Sequence, residues 1–161
     1  MATYDKDSAL KQILDYLTDV QGEIVDQIIK TKMNASGKTA ASLEVVPSNT
    51  GGSLMAANHI IFLETGRGPT SPTGPYPSGE KLIDIIKQWI VDKGLDLNPY
   101  AVTKTIHEKG TRLYRQGGKS GVLSIPLQLA GLNTLFAEIA TQYSQVTSSE
   151  IYEPINELQT V

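Results

Sequence analysis

Leu10, Ile13, Leu14, Leu17, Ile24 and Ile28 recur at helical spacing, with Asp, Glu, Lys and Gln between them. Such spacing places apolar side chains on one face of an amphipathic helix. It predicts a long helix from a cap at Asp7 or Ser8 through about Met33. The apolar stripe is narrow, so one face packs and the rest meets water. Gly22 is a weak point, costing about 1 kcal/mol relative to alanine. A second stripe, Leu82, Ile85, Ile86, Trp89 and Ile90, predicts a helix opening at Gly79-Glu80-Lys81. Lys93 in a basic last turn and a C-cap Gly94 end it. Trp89, on this apolar face, is expected to be largely buried against the first helix or the hairpin. Leu127, Leu129, Leu132, Leu135, Phe136 and Ile139 predict a further helix from about Pro126 to Tyr143, with these residues turned inward.

Between these stripes the pattern is shorter. Asn34-Ala35-Ser36-Gly37 ends the first helix, and Thr39 to Pro47 reads as a small-residue turn leading into a short strand. Ser48-Asn49-Thr50-Gly51-Gly52 is a hairpin turn and Ser53-Leu54-Met55-Ala56 the returning strand. His59 to Thr65, capped by Asn58 and closed by Gly66, fits a short helix. The β-prone Ile60-Ile61-Phe62 leaves a strand open there. Asn98 caps another helix, with Pro99 at its first position, running to Lys109-Gly110. Thr111 to Tyr114 either extends it or forms a turn. Arg115 to Gly121 reads as a flexible, basic, glycine-rich loop, and Val146 to Val161 as a polar tail with scattered apolar residues. The expected fold is α+β: helices packed on a small antiparallel hairpin, in one domain over residues 1–145, followed by a tail at 146–161. No internal repeat is visible.

Composition narrows the classes. A chain of 161 residues with no cysteine has neither a disulfide framework nor a cysteine-based metal site. Hydrophobic residues at 40% and aromatics at 6% imply a thin core that neighbouring subunits would complete. A net charge of −3 argues against bulk electrostatic binding of nucleic acid, while leaving room for a local basic patch. Met1 to Asp5 lacks the basic and apolar regions of a secretory signal. No apolar stretch is long enough to span a bilayer. A protein assembled in the cytoplasm is therefore expected.

The candidate chemistry is sparse. Ser36-Gly37-Lys38-Thr39 looks like the end of a phosphate-binding loop. The glycine required five positions before Gly37 is replaced by Lys32, and a polar helix rather than a buried strand precedes it. Asn34-Ala35-Ser36 is a glycosylation sequon without a secretory context. His59 and His107 are the only histidines, and neither has the i+4 partner of a metal-binding helix. No metal or cofactor is expected. Glu64 and Arg67 flank Gly66 and form the best polar pair, suited to a charge-assisted bond that holds a turn or reaches a neighbour. A catalytic role for Glu64 would need a convergent second carboxylate, and the nearest is Glu80 across the loop. Arg112, Arg115 and Lys119 cluster around Gly117-Gly118 and could meet phosphate or an acidic partner.

The order of these features resembles the tail-completion, or neck (head–tail joining), family of tailed bacteriophages. The resemblance rests on the long first helix, the segment Ser36-Gly37-Lys38-Thr39-Ala40-Ala41-Ser42-Leu43, the hairpin, and Phe62-Leu63-Glu64-Thr65-Gly66-Arg67 before a Pro/Gly-rich loop. The helix from Ile85 to Gly94 and Ile106-His107-Glu108-Lys109-Gly110-Thr111 add to it. It covers about residues 8–115; the lengthened loop Thr70-Ser71-Pro72-Thr73-Gly74 and the residues after Tyr143 have no counterpart. The resemblance implies a non-enzymatic virion protein of the neck or tail that forms a closed homo-oligomeric ring. Its partners would be the portal or connector and other neck or tail proteins, with DNA met only by passage through the lumen, and no membrane. Under that reading Glu64, Arg67, Pro69, Pro75, Tyr76, Arg112 and Arg115 are the expected interface residues, and the loop Gly68 to Ser78 lies at a subunit or ring–ring contact. A nucleic-acid-associated adaptor using residues 112–119, and a small hydrolase using Glu64, are the rival expectations.

Overall fold

The computed structural model describes residues 6–70 and 81–158. Helix α1, Lys6–Lys30, stops three residues short of Met33, and the reason is local. Lys32 adopts a left-handed φ of 57°. Met33 N donates to Ile28 O and Lys32 N to Ile29 O. These two bonds form a Schellman closure, with a lysine where glycine is usual. Lys93 Nζ donates to the carbonyls of Lys32 and Asn34, tying this end of α1 to the end of another helix.

The small-residue segment forms a single turn, α2, Lys38–Ala41. Strands β1, Glu44–Ser48, and β2, Gly51–Met55, pair antiparallel with Glu44 opposite Met55 and Ser48 opposite Gly51. The glycines read as turn residues therefore lie within β2. A Cβ on Gly52 would come within 2.8 Å of the Leu14 and Leu17 side chains, so glycine lets α1 lie directly on the hairpin. A 3₁₀ turn at Asn58–Ile60 runs into helix α3, Ile61–Thr65, and Gly66 at φ 69° ends it. The strand alternative is thus excluded. Asn58 caps neither: Ala57 stands at the N-cap of the 3₁₀ turn and Ile60 at that of α3, both without a side-chain bond.

Helix α4, Leu82–Lys93, ends at Gly94 in the left-handed region. Helix α5, Pro99–Lys109, is capped by Asn98, whose Oδ1 accepts from Tyr100 N and Ala101 N. Gly110 breaks the chain at φ 75°, so α6, Arg112–Arg115, is a separate turn capped by Thr111. Helix α7 spans Leu129–Leu158 and so runs on well past the helix end expected at Tyr143.

The architecture is α+β, with a two-stranded sheet under α1. The core is a cluster of Val20, Ile24 and Ile28 from α1 with Leu43 and Val122. Tyr16, Leu54, Ile60 and Leu63 pack around it. Each fully buried Val or Ile contributes about 1.5–3 kcal/mol. Gln21 Nε2 donates to Leu43 O at 2.7 Å and fixes α1 to the start of β1. Outside this cluster the packing is open. On α4 only Leu82 and Ile86 are buried; Trp89 is half-buried rather than enclosed, and Ile85 is exposed. On α7 Leu135 is buried, but Phe136 and the preceding Leu127 are exposed rather than inward.

Candidate interaction surface

The turn after α3 is held by two segments of the second half of the chain. Glu64 reaches the first. Its carboxylate accepts from Leu123 N at 2.8 Å, Ser124 Oγ at 2.7 Å, Ser120 Oγ at 3.2 Å and Gly121 N at 3.4 Å. Its own carbonyl accepts from Ser120 N. Burial opposes the charge, but the bonds from Leu123 N, Ser124 Oγ and Gly121 N outweigh it and hold the Glu64 carboxyl below the usual glutamate range. Val122, in the middle of this segment, is a core residue. Glu64 is therefore a carboxylate plug that seats Val122 in the core.

Arg67 goes to the second segment. Arg67 N donates to Thr111 Oγ1 at 2.9 Å, and Thr111 N donates to Arg67 O at 2.8 Å. Arg67 Nη2 donates to Thr70 Oγ1 at 3.4 Å, and burial lowers the guanidinium pKa without neutralising it. Thr70 shares a 2.9 Å hydrogen bond with His107 Nδ1, and Thr70 N donates to His107 O. Expected as a mutual pair, Glu64 and Arg67 thus brace one turn from two directions: the four hydrogen bonds of the Glu64 carboxylate all come from residues 120–124.

Glycines make this clamp possible. A Cβ on Gly66 would collide with Tyr114 N, and one on Gly110 would lie 2.7 Å from Arg67 O. One on Gly118 would lie 2.5 Å from Thr65 O. The 115–121 segment, expected to be flexible, is hydrogen-bonded at both ends. Gly118 N donates to Leu113 O and Ser120 N to Glu64 O. Lys109, Arg112, Arg115 and Lys119 stand on this braced framework, and all four side chains are exposed.

The remaining candidates do not converge. His59 Nε2 shares a 2.7 Å hydrogen bond with Thr39 Oγ1, whereas His107 bonds Thr70. Among the described residues no group of three or more His, Asp or Glu could hold a metal ion. Gly37 opens the single turn α2, and α1 rather than a strand lies before it, so the phosphate-loop geometry is not formed. Among the described residues no helix is long and apolar enough to cross a membrane. Pro69 is exposed beside the clamp, while Pro75 and Tyr76, like Glu80 and most of the loop Gly68 to Ser78, lie outside the described residues.

Ser120, Ser124, Thr111 and Tyr114 were not among the sequence candidates. Thr111 carried a readable signal, a threonine three residues before Tyr114 and directly after a breaking glycine. Ser120 and Ser124 carried none, because a bond spanning some sixty residues leaves no local pattern. No family model, curated protein or solved structure matches this chain.

Proposed function

We propose that this chain is a structural subunit of a tailed-phage neck or tail ring, non-enzymatic and completed by its neighbours. The observation that carries this reading is the incompleteness of the subunit. Phe62, Val91, Tyr100, Leu127 and Phe136 are each between 46% and 72% exposed, although the chain is long enough to cover side chains of this size. Large apolar side chains left open on several elements suit a subunit whose contacts are made with other chains. The resemblance of the segments from α1 to Thr111 to neck proteins supplies the assembly. Its partners are copies of itself, the portal or connector, and further neck or tail proteins of the virion.

Glu64 fits a structural role. A general acid needs a raised pKa and a free face, whereas Glu64 is lowered and engaged by four donors. The nucleic-acid-adaptor reading draws on the basic loop 112–119 and predicts duplex binding that weakens steeply with salt. Native mass measurement with negative-stain imaging tests the proposal. A discrete cyclic oligomer supports it. A monomer at every concentration, with no incorporation into particles, overturns it.

A further inference from the structure

Charge is distributed unevenly along this chain. Residues 109–119 carry four cations and no carboxylate, so the remainder of a chain of net charge −3 stands at −7. The opposite extreme lies in α1. From Gln12 to Ile29 there is no lysine or arginine, and the carboxylates are Asp15, Asp19, Glu23 and Asp26. Their spacing of four, four and three places them along one stripe, and all four are exposed. The buried face of α1, Val20, Ile24 and Ile28, is turned to the hairpin and Val122.

Apart from Asp15, neither set is consumed by an ion pair among the described residues. The ion pairs between described residues are Lys11–Asp15, Lys87–Asp84 and Lys104–Glu108, each local to one helix. None joins the α1 stripe to residues 109–119. The cations are also held in place. Thr111 caps their helix and bonds the Arg67 backbone, and Gly118 lies against Thr65. Long side chains on a fixed backbone lose less freedom on binding than those on a loose loop. Exposed, unpaired cations on a rigid platform are an electrostatic docking face.

We propose that the row Lys109, Arg112, Arg115 and Lys119 docks the Asp19–Glu23–Asp26 stripe of a second copy of this chain. This rests on the ring reading above and names the contact that closes the ring. Where the basic row engages one neighbour and the acidic stripe another, the contact is heterologous, and it closes a ring when the rotation closes; a two-fold dimer would engage both patches on a single partner and would be read as a dimer in the test below. A self-partner is favoured over a polyanion because the same chain carries a complementary stripe, Asp19, Glu23 and Asp26, with no ion-pair partner among the described residues.

The test uses the full-length protein and two charge-reversed variants, with oligomeric state read by native mass measurement and folding checked by circular dichroism. The first variant is Arg112→Glu with Arg115→Glu. The second is Asp19→Lys with Glu23→Lys and Asp26→Lys. Each alone is expected to raise the concentration needed for assembly by about tenfold or more. Mixing the two, or combining both sets in one chain, restores assembly. Should a reversal unfold the protein, Arg112→Gln with Arg115→Gln gives a milder reading, and added salt must weaken wild-type assembly in parallel. If wild-type rings form and the variants assemble equally well, the docking face is wrong while the ring stands. If the wild type is monomeric at every concentration, both fall. If Arg112→Glu with Arg115→Glu abolishes salt-sensitive binding of a labelled DNA duplex and leaves assembly intact, the row belongs to nucleic acid and the proposal is overturned.

Discussion

Glu64 and Lys32 show how single residues carry structure here. The Glu64 carboxyl is held below its unfolded value, so the charged form stabilises the fold. That contribution is present above the unfolded glutamate pKa of about 4.3 and is lost as pH falls through the lower folded value. Glu64→Gln keeps the size but loses charge-assisted bonds, and should cost about 1–2 kcal/mol at neutral pH, discounted for partial exposure. Chemical denaturation at pH 7 and again below pH 4 should show this difference shrinking in acid. The effect should be non-additive with Ser124→Ala, which shares the bond, and additive with Arg67→Ala, whose Nη2 bonds Thr70. Equal losses at both pH values would mean that charge plays no part. Lys32 offers the opposite case. A lysine in the left-handed region is strained, so Lys32→Gly should raise stability by about 0.5–1 kcal/mol despite glycine's entropy. A fall in the denaturation midpoint would show that the Lys32 side chain contributes more than its backbone costs.

Elements whose cause is local were legible in the sequence. The stripes of α1 and α4, the Asn98-Pro99 start of α5 and the stop at Gly94 all rest on residues a few positions apart. What was hidden depends on distant partners. Gly51 and Gly52 signalled a turn, yet lie in β2, where Leu14 and Leu17 need the space beside Gly52. The partners of Glu64 could not be read because they arrive from another part of the chain. The polar stretch after Tyr143 showed no packing stripe, yet α7 runs on to Leu158. At this scale Thr111 is the joint between α5, α6 and the Arg67 turn. Thr111→Ala removes both a cap and an acceptor for Arg67 N, and should cost about 1–2 kcal/mol, with Thr111→Ser restoring most of it. Trp89, half-buried, should cost about 1–2 kcal/mol on truncation to alanine, below the 3–5 of an enclosed aromatic. A larger loss would place it in a tighter core than its exposure indicates.

For the molecule as a whole, stability and the proposed association draw on different side chains. The cluster around Ile24, Ile28 and Val122 lies apart from the open side chains of α7. Phe136 is 59% exposed, so Phe136→Gln should change the melting free energy by no more than about 0.5 kcal/mol. If a neighbour covers it, the same substitution should weaken self-association in analytical ultracentrifugation. A substitution that lowers stability and leaves association untouched would assign Phe136 to the subunit core instead.

Helix α7 has a mechanical consequence. Its 30 residues make a rod about 45 Å long at 1.5 Å per residue, against a radius of gyration of roughly 15 Å for a compact globule of this length. The rod is anchored near its start, where Leu135 is buried and Tyr16 of α1 lies within 3.3 Å of where a Cβ on Gly131 would stand. Pivoting about that root by ~10° would sweep the far end, about 40 Å away, through about 7 Å. The Tyr16–Gly131 contact is thus the fulcrum of a lever, where sub-ångström repacking becomes a displacement as wide as a side chain is long.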